Sequence, residues 1–548
     1  MKKPFSLLRS VPILLFLLLA DQASAQASTP GSSYVLYVLI GLGLILVAAV
    51  IMSVSENLLQ IEAQKRGADT TKNNFSIVPN ISELMGKGAP SYAEGASVHQ
   101  FKKGHDIKLA GEVENTEAHA LADVSSYAVR PENFRELSPI PRMLVTEGQE
   151  VKAGEPLFED KKDPRVKYVA SVSGEIAEIR RGEKRAITDV IILADKVQQR
   201  IKHDVTSLST SSRQEIVDLF LISGAWSHLN QRPYDVVPDP DIVPNNIFIS
   251  TFDTAPLALD YNSVVAGKGA ELQAAVDVLS KLTNGQVHIG LSAASDAAPA
   301  AEFTGLTGVE KSWYNGPHPA GNVGVQIHHT APISATSVVW TIGVQDLVTI
   351  GHFCISGEYI AERTVAIVGS EVSHPKYIKT YLGAKVSDLL KNNLKGDHNR
   401  VIAGNVLTGK KLNEDSYLNQ GDEQITVIPE GDEYEMFGWL LPIKPRPSLS
   451  KTFPNFLFGD HRFEVNTNTH GEKRAFVVTG QYESVLPMDI HVQQLMKSIM
   501  TNDYERMEGL GIAELSEEDV AICEFVCTSK MPLQKILRVG LDMMRDQG

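Results

Sequence analysis

Cysteine is scarce: Cys354, Cys523 and Cys527 are the only three in 548 residues. Three thiols at those spacings cannot supply a disulfide framework, so the bulk of the chain must hold together by burying apolar surface and suits a reducing compartment. A basic excess is missing too. Lys+Arg total 51 against Asp+Glu 66, a net charge of −15, and a nucleic-acid role would lack the cations that neutralise phosphate. Nucleotide signatures are also absent: no G-x-G-x-x-G joins a strand to a helix, and G-x-x-x-x-G-K-[ST] occurs nowhere. No Ser-His-Asp or paired-carboxylate arrangement is legible either.

Two apolar runs open the chain. Residues 1–25 carry Lys2, Lys3 and Arg9, an apolar stretch from Val11 to Ala20, and Ala23-Ser24-Ala25, the small-x-small pattern cut by signal peptidase. They read as a signal peptide. Residues 34–53 contain no charge from Tyr34 to Met52, a run of roughly 28 Å as a helix against a hydrocarbon core of about 30 Å, and read as one transmembrane helix. Lys65, Arg66 and Lys72 follow it, and the positive-inside bias places the bulk of the chain in the cytoplasm, on a single-pass anchor. Residues 54–100 then read as a polar linker.

Beyond the linker the length predicts three to four domains of roughly 100 to 200 residues. Residues 101–205 hold short β-like runs around Gly148, Gly154 and Gly174, similar to the barrel-sandwich hybrid of biotinyl and lipoyl carriers. Lys161 and Lys162 lack the Met-Lys pair of a working carrier and read as solvated turn residues. Residues 206–335 alternate helix and strand: helices Arg213 to Ile222 and Ala270 to Leu282, strands Asn246 to Thr251 and Gln286 to Leu291. That rhythm is Rossmann-like. Residues 336–445, with strands expected at Ser337 to Val348 and Thr364 to Val368 and a helix at Val386 to Leu394, look like a β-grasp domain of the soluble-ligand-binding type. Residues 446–548 are mainly helical, with Ser516 and Asp519 spaced as a cap and Pro532 opening the last helix. The fold class is thus multidomain, α+β with an α/β part.

Between the α/β rhythm and the next strands lies Trp313-Tyr-Asn-Gly-Pro-His-Pro-Ala-Gly321, a path tightly prescribed by its prolines and glycines. With Gly224-Ala-Trp-Ser-His-Leu-Asn-Gln-Arg-Pro-Tyr234, Phe437-Gly-Trp-Leu440 and Glu517-Glu-Asp-Val-Ala-Ile-Cys-Glu-Phe-Val-Cys527, and with the domain order, it resembles the NqrA family of the sodium-translocating NADH:quinone oxidoreductase. The resemblance covers about residues 101–548. It implies a multi-subunit membrane complex in which flavins and iron–sulfur centres belong to partner subunits and NqrA is associated with quinone. The signal peptide and anchor depart from that family's usual peripheral member.

The relatives that bind flavin carry a glycine-rich loop where this chain has Ser223-Gly-Ala-Trp-Ser227, so Trp226 is expected to fill the vacated space and no cofactor is expected on this chain. Cys523 and Cys527 are too few for a cluster and read as small buried hydrophobes. No metal site is expected: His318, His328 and His329 lack partners at ligand spacing, and the adjacent pair is expected on a strand, facing opposite ways. If quinone touches this chain, Tyr127, Arg130, Trp226, Arg232 and Tyr234 are the candidate contacts. Asn315, Gly316, Pro317, His318, Pro319 and Gly321 are expected to form a rigid joint between the Rossmann-like and β-grasp domains. Two other function classes stay open: an autonomous flavin-containing NADH dehydrogenase, and a non-redox envelope ligand-binding module.

Overall fold

The computed structural model describes residues 40–44, 47 and 90–547, apart from 139, 296, 335, 414, 436, 438–444 and 450–460. The expected signal peptide, most of the apolar run 34–53 and the linker as far as residue 89 lie outside the described residues; 40–44 are helical. Among the described residues no helix is long and apolar enough to cross a membrane.

The carrier-like domain is two small antiparallel sheets. One orders Ser126–Val129, Ile187–Ala194, Gly174–Arg181 and Glu150–Val151; the other Arg142–Met143, Pro156–Glu159 and Lys167–Val169. Leu157, Phe158, Tyr168, Ile176, Val190 and Ile192 are buried between them. Gly174 has no alternative, since a Cβ there would lie 1.8 Å from the Leu193 carbonyl oxygen. Lys161 and Lys162 are exposed on the intervening turn, and Lys162 Nζ reaches Glu136 at 3.2 Å.

The α/β domain is built on six strands: β1 (Val98–Gln100), β2 (Asn230–Arg232), β3 (Asn246–Ser250), β4 (Val287–Ser292), β5 (Glu310–Asn315) and β6 (Val339–Thr341). Their order is β1-β5-β4-β3-β6-β2, parallel except for β2. Ile247, Phe248 and Ile249 are all buried, as a central parallel strand covered on both faces requires. The covering helices are α1 (Arg213–Ser223), α2 (Gly269–Leu279), α3 (Val323–Thr330) and α4 (Val344–Ser356). Ser212 and Glu215 cap α1 reciprocally.

Three expectations change here. The strand expected over Ser337 to Val348 is strand only at Val339–Thr341, because Gly343 then caps α4, whose buried Val344, Leu347, Ile350 and Gly351 follow a helical period. Those residues join the α/β layer, so the β-grasp domain does not start at 336. His328 and His329 sit in the last turn of α3 and not on a strand. Val98–Gln100, at the end of the expected linker, is an edge strand of the α/β sheet.

The β-grasp sheet is mixed, in the order Lys410–Lys411, Asn399–Ala403, Gln424–Pro429, Glu362–Val368, Lys376–Tyr381 and His119–Leu121. Its helix, Val386–Leu390, ends short of the expected Leu394, where Asn392 turns to positive φ. The C-terminal domain packs α5 (Val492–Met500), α6 (Glu517–Val526) and α7 (Leu533–Gln547) around Met496, Ile499, Cys523, Leu537 and Leu541. Asp519 accepts from the Ser516 amide at 2.9 Å and its hydroxyl at 3.0 Å, which is the cap foreseen for α6.

Candidate functional site

In an open parallel sheet the ligand crevice lies beyond the carboxyl ends of the strands, where the strand order reverses. Here that point falls between β3 and β6. A crevice of about 930 Å³ opens there, lined by Ser250, Phe252 and Asp253 after β3 and by Thr341, Ile342 and Gly343 after β6. The β-grasp residues Asn405, Thr408 and Glu423 and the α6–α7 residues Glu517, Glu518 and Arg538 close its other walls.

A nucleotide phosphate would bind the free amides at the start of α4. Asp346 stands in that first turn instead, its carboxylate held by Arg363 and by His228 Nδ1 at 2.6 Å, with His228 Nε2 2.9 Å from the Tyr359 hydroxyl. Burial opposes ionisation of Asp346, but Arg363 and His228 outweigh it and hold the carboxyl below its usual range. Asp253 and Glu423 line the same crevice. The arginines that reach the crevice are committed: Arg232 to Glu518 at 2.7 Å and Asp519 at 3.2 Å, Arg135 to Asp235 and Glu517, and Arg538 to Glu517. Lys410 and Lys535 are exposed at the rim. A phosphate of charge about −1.5 to −2 would meet carboxylates where it needs donors.

Glu423 receives the Tyr261 hydroxyl at 2.6 Å, joining the β-grasp and α/β domains. Burial pushes its pKa up to about 7, against the pull of Tyr261 and Arg363. Between the ordinary value of about 4.3 and 7 the folded chain holds a proton that the unfolded chain has lost, so stability falls as pH rises through this window. Glu423→Gln keeps an acceptor for Tyr261 and removes the charge. The variant is expected to be more stable than wild type by roughly 3–4 kcal/mol at alkaline pH, with the gain vanishing below pH about 4; denaturant unfolding across that range checks this.

The residues expected to touch quinone do not share a surface. Trp226 is fully buried, edge-on to Trp340 at 5.2 Å, with its indole N–H donated to the Pro238 carbonyl at 3.0 Å. It fills core and not a vacated loop; Gly224 before it is glycine because a Cβ would lie 2.3 Å from Val169 of the carrier-like domain. Tyr127 is buried against Tyr381, its hydroxyl pushed up to about 12 by burial. Arg130 is engaged by Glu132, Asp189 and Asn419. Tyr234 is half-buried, and its carbonyl accepts from Arg538 at 2.9 Å. Of the five, only Arg232 lines the crevice.

Among the described residues, the hydrogen bonds that hold the stretch after Trp313 come from the N-terminal segment, the turn at Thr254 and α6, and none comes from the β-grasp domain. Asn315 O accepts from the Phe101 amide at 2.7 Å; His318 O accepts from the His105 amide at 2.8 Å, and the His318 amide donates to Asp106 at 2.9 Å. A Cβ on Gly316 would strike Phe101 at 2.6 Å, and the ring of Pro317 lies against Gly104. Pro319 O accepts from the Asn322 amide, and Gly321 packs on the Phe252–Thr254 turn, giving its amide to Thr254 Oγ1 at 3.0 Å. The joint therefore ties the α/β domain to the N-terminal segment and, through Asn322 and Glu518 O at 3.1 Å, to α6. Burial lowers His318 to about 4, so the ring is neutral near pH 7, and Nδ1 lies 3.1 Å from the Thr254 hydroxyl.

Cys523 and Cys527 are buried in the helical core, with the Tyr482 hydroxyl donating to Cys527 Sγ at 2.8 Å. Among the described residues no group of three or more His, Cys, Asp or Glu side chains could hold a metal ion. Asp253, Tyr261, Asp346 and Glu423 were not among the residues expected at a site. A strand followed by a short turn and a helix marked the first; nothing local marks Glu423, which only the docking of two domains brings to the crevice.

Family models match three stretches: the NqrA N-terminal barrel-sandwich hybrid domain over residues 99–195, the NqrA second alpha/beta domain over 211–359 and the NQRA C-terminal domain over 364–414. The NqrA component of the Na(+)-translocating NADH-quinone reductase from Yersinia pestis bv. Antiqua (strain Angola) is 37% identical over 452 residues, covering 82% of this chain and 100% of the relative. The corresponding proteins of Serratia proteamaculans (35% over 459 residues) and Neisseria meningitidis serogroup B (36% over 453 residues) are likewise covered over their full length, again by 82% of this chain. Identity at that level over whole relatives, in a chain with the same domain order, shows the family: the chain belongs to the NqrA family of Na(+)-translocating NADH-quinone reductase subunits.

Proposed function

We propose that this chain serves a sodium-pumping NADH:quinone oxidoreductase complex as a component without a redox centre of its own. Electrons pass from NADH through flavins and iron–sulfur in partner subunits to quinone, coupled to Na+ export. The observation that carries the reading is Asp346 at the head of α4, its carboxyl held below the usual range by Arg363 and His228, in the crevice where such a fold would hold a flavin or dinucleotide phosphate. In this reading quinone association belongs to the assembled complex, because the five candidate contacts do not converge. Residues 34–53 anchor the chain in the bacterial inner membrane with its body on the cytoplasmic side, and the joint and the Tyr261–Glu423 contact hold its domains in one docking shape.

The test is isolation from native membranes with mild detergent. Co-purification with integral membrane subunits is expected; a stable solitary monomer would overturn the proposal. Protease added to intact spheroplasts should leave the body uncut, and cleavage would instead favour the envelope ligand-binding reading.

A further inference from the structure

Arg363 belongs to the β-grasp strand Glu362–Val368, yet its side chain crosses into the α/β domain and is 1% exposed. Nη1 donates to the Thr349 hydroxyl of α4 at 3.0 Å, Nη2 donates to Asp346 Oδ1, and Nε has no partner among the described residues. Taking a guanidinium out of water is costly unless an anion meets it. Among the described residues Asp346, at the third position of α4, is the one carboxylate in ion-pair reach. The surroundings of that carboxylate also suit an anion. His228 Nδ1 lies 2.6 Å from the same oxygen, with Nε2 held 2.9 Å from the Tyr359 hydroxyl. Gly343 caps α4 without a side chain, and a Cβ there would stand 3.1 Å from Asp346 Oδ2, so the carboxylate folds back over the positive end of a 13-residue helix.

We propose that Asp346 is a tethered ligand: Arg363, His228 and the head of α4 form a receptor for a phosphate-type anion, the chain's own carboxylate fills it, and the crevice is thereby left to uncharged or cationic ligands. Asp346 lines the crevice with its side chain 20% exposed, whereas Arg363 does not line it. An oxygen entering from the crevice reaches the guanidinium only through the space that the carboxylate holds. A phosphate ester placed there would set its charge against Asp346 in surroundings where repulsion is weakly screened. With the aspartate shortened, the same buried cation faces the crevice without a counter-charge and needs one from solution. The receptor takes Arg363 from one domain and His228 and α4 from another, so it exists only in the docked body. This assignment rests on the reading that the crevice carries no flavin or dinucleotide.

Equilibrium dialysis of the full chain in detergent against inorganic phosphate, with ionic strength held constant by chloride, reads the receptor directly. Asp346→Ala is expected to bind a single phosphate per chain roughly tenfold more tightly than wild type, the worth of one hydrogen bond to a charged group. Its Tm should rise with phosphate and stay flat with chloride. Asp346→Ser, whose hydroxyl still accepts from Arg363, carries the same measurements where the alanine variant does not fold in chloride. Adding Arg363→Gln to either variant should return phosphate binding to the wild-type level. Equal binding by wild type, no binding by the folded single variants, or undiminished binding after Arg363→Gln would each overturn the proposal. None of these outcomes touches the flavin content of the wild-type chain, so failure of the tethered ligand and failure of the reading beneath it are told apart.

Discussion

Replacing Arg232 with alanine is expected to destabilise the folded body by about 3–5 kcal/mol, the range for removing one partner of a buried ion pair. Arg232 is 3% exposed and meets two carboxylates of α6, Glu518 at 2.7 Å and Asp519 at 3.2 Å; the Asp519 side chain is fully buried. Loss of the guanidinium strands Asp519 in the core beside Gly324, whose missing Cβ would otherwise lie 2.4 Å from its carboxylate. The α6 cap suffers too, because Asp519 also holds Ser516. Denaturant unfolding followed by far-ultraviolet circular dichroism would show the loss, and Arg232→Lys should recover only part of it, one ammonium being unable to span both acids. An Arg232→Ala protein of unchanged stability but with a raised KM for quinone would assign this residue to a ligand instead.

Trp226→Ala is the second large effect, about 3–5 kcal/mol for emptying an aromatic site in a packed core. The cost arises from the lost edge-on contact with Trp340 and from the Pro238 carbonyl, which loses its donor. Trp226→Phe keeps most of the volume and should cost less. In the assembled complex Trp226→Phe is expected to leave quinone KM unaltered, because the ring touches no crevice. A several-fold rise in KM with unchanged stability would restore Trp226 as a quinone contact.

Much of the fold was written locally. The period of the helices, the Ser516 cap and the apolar run of β3 act over a few residues, and each was legible in place. Where two tendencies compete, local reading slipped: Val344 to Val348 is as β-prone as helical until Gly343 and the buried stripe of α4 decide it. The candidate site was less legible because its walls come from four parts of the chain. Arg232 was singled out for a quinone, yet its partners lie 286 and 287 residues away on α6. Glu423 meets Tyr261 across 162 residues. The joint was foreseen as rigid, but its partners were not: Asp106 and Phe101 from the N-terminal segment hold it, and no spacing within the loop encodes that.

Under the proposed function this chain brings no redox centre to the complex. Acid extraction of the purified chain, with flavin fluorescence and iron determined against protein, tests it most directly. A colourless protein with neither flavin nor iron near stoichiometric amounts is expected. One flavin per chain would contradict it and favour an autonomous NADH dehydrogenase.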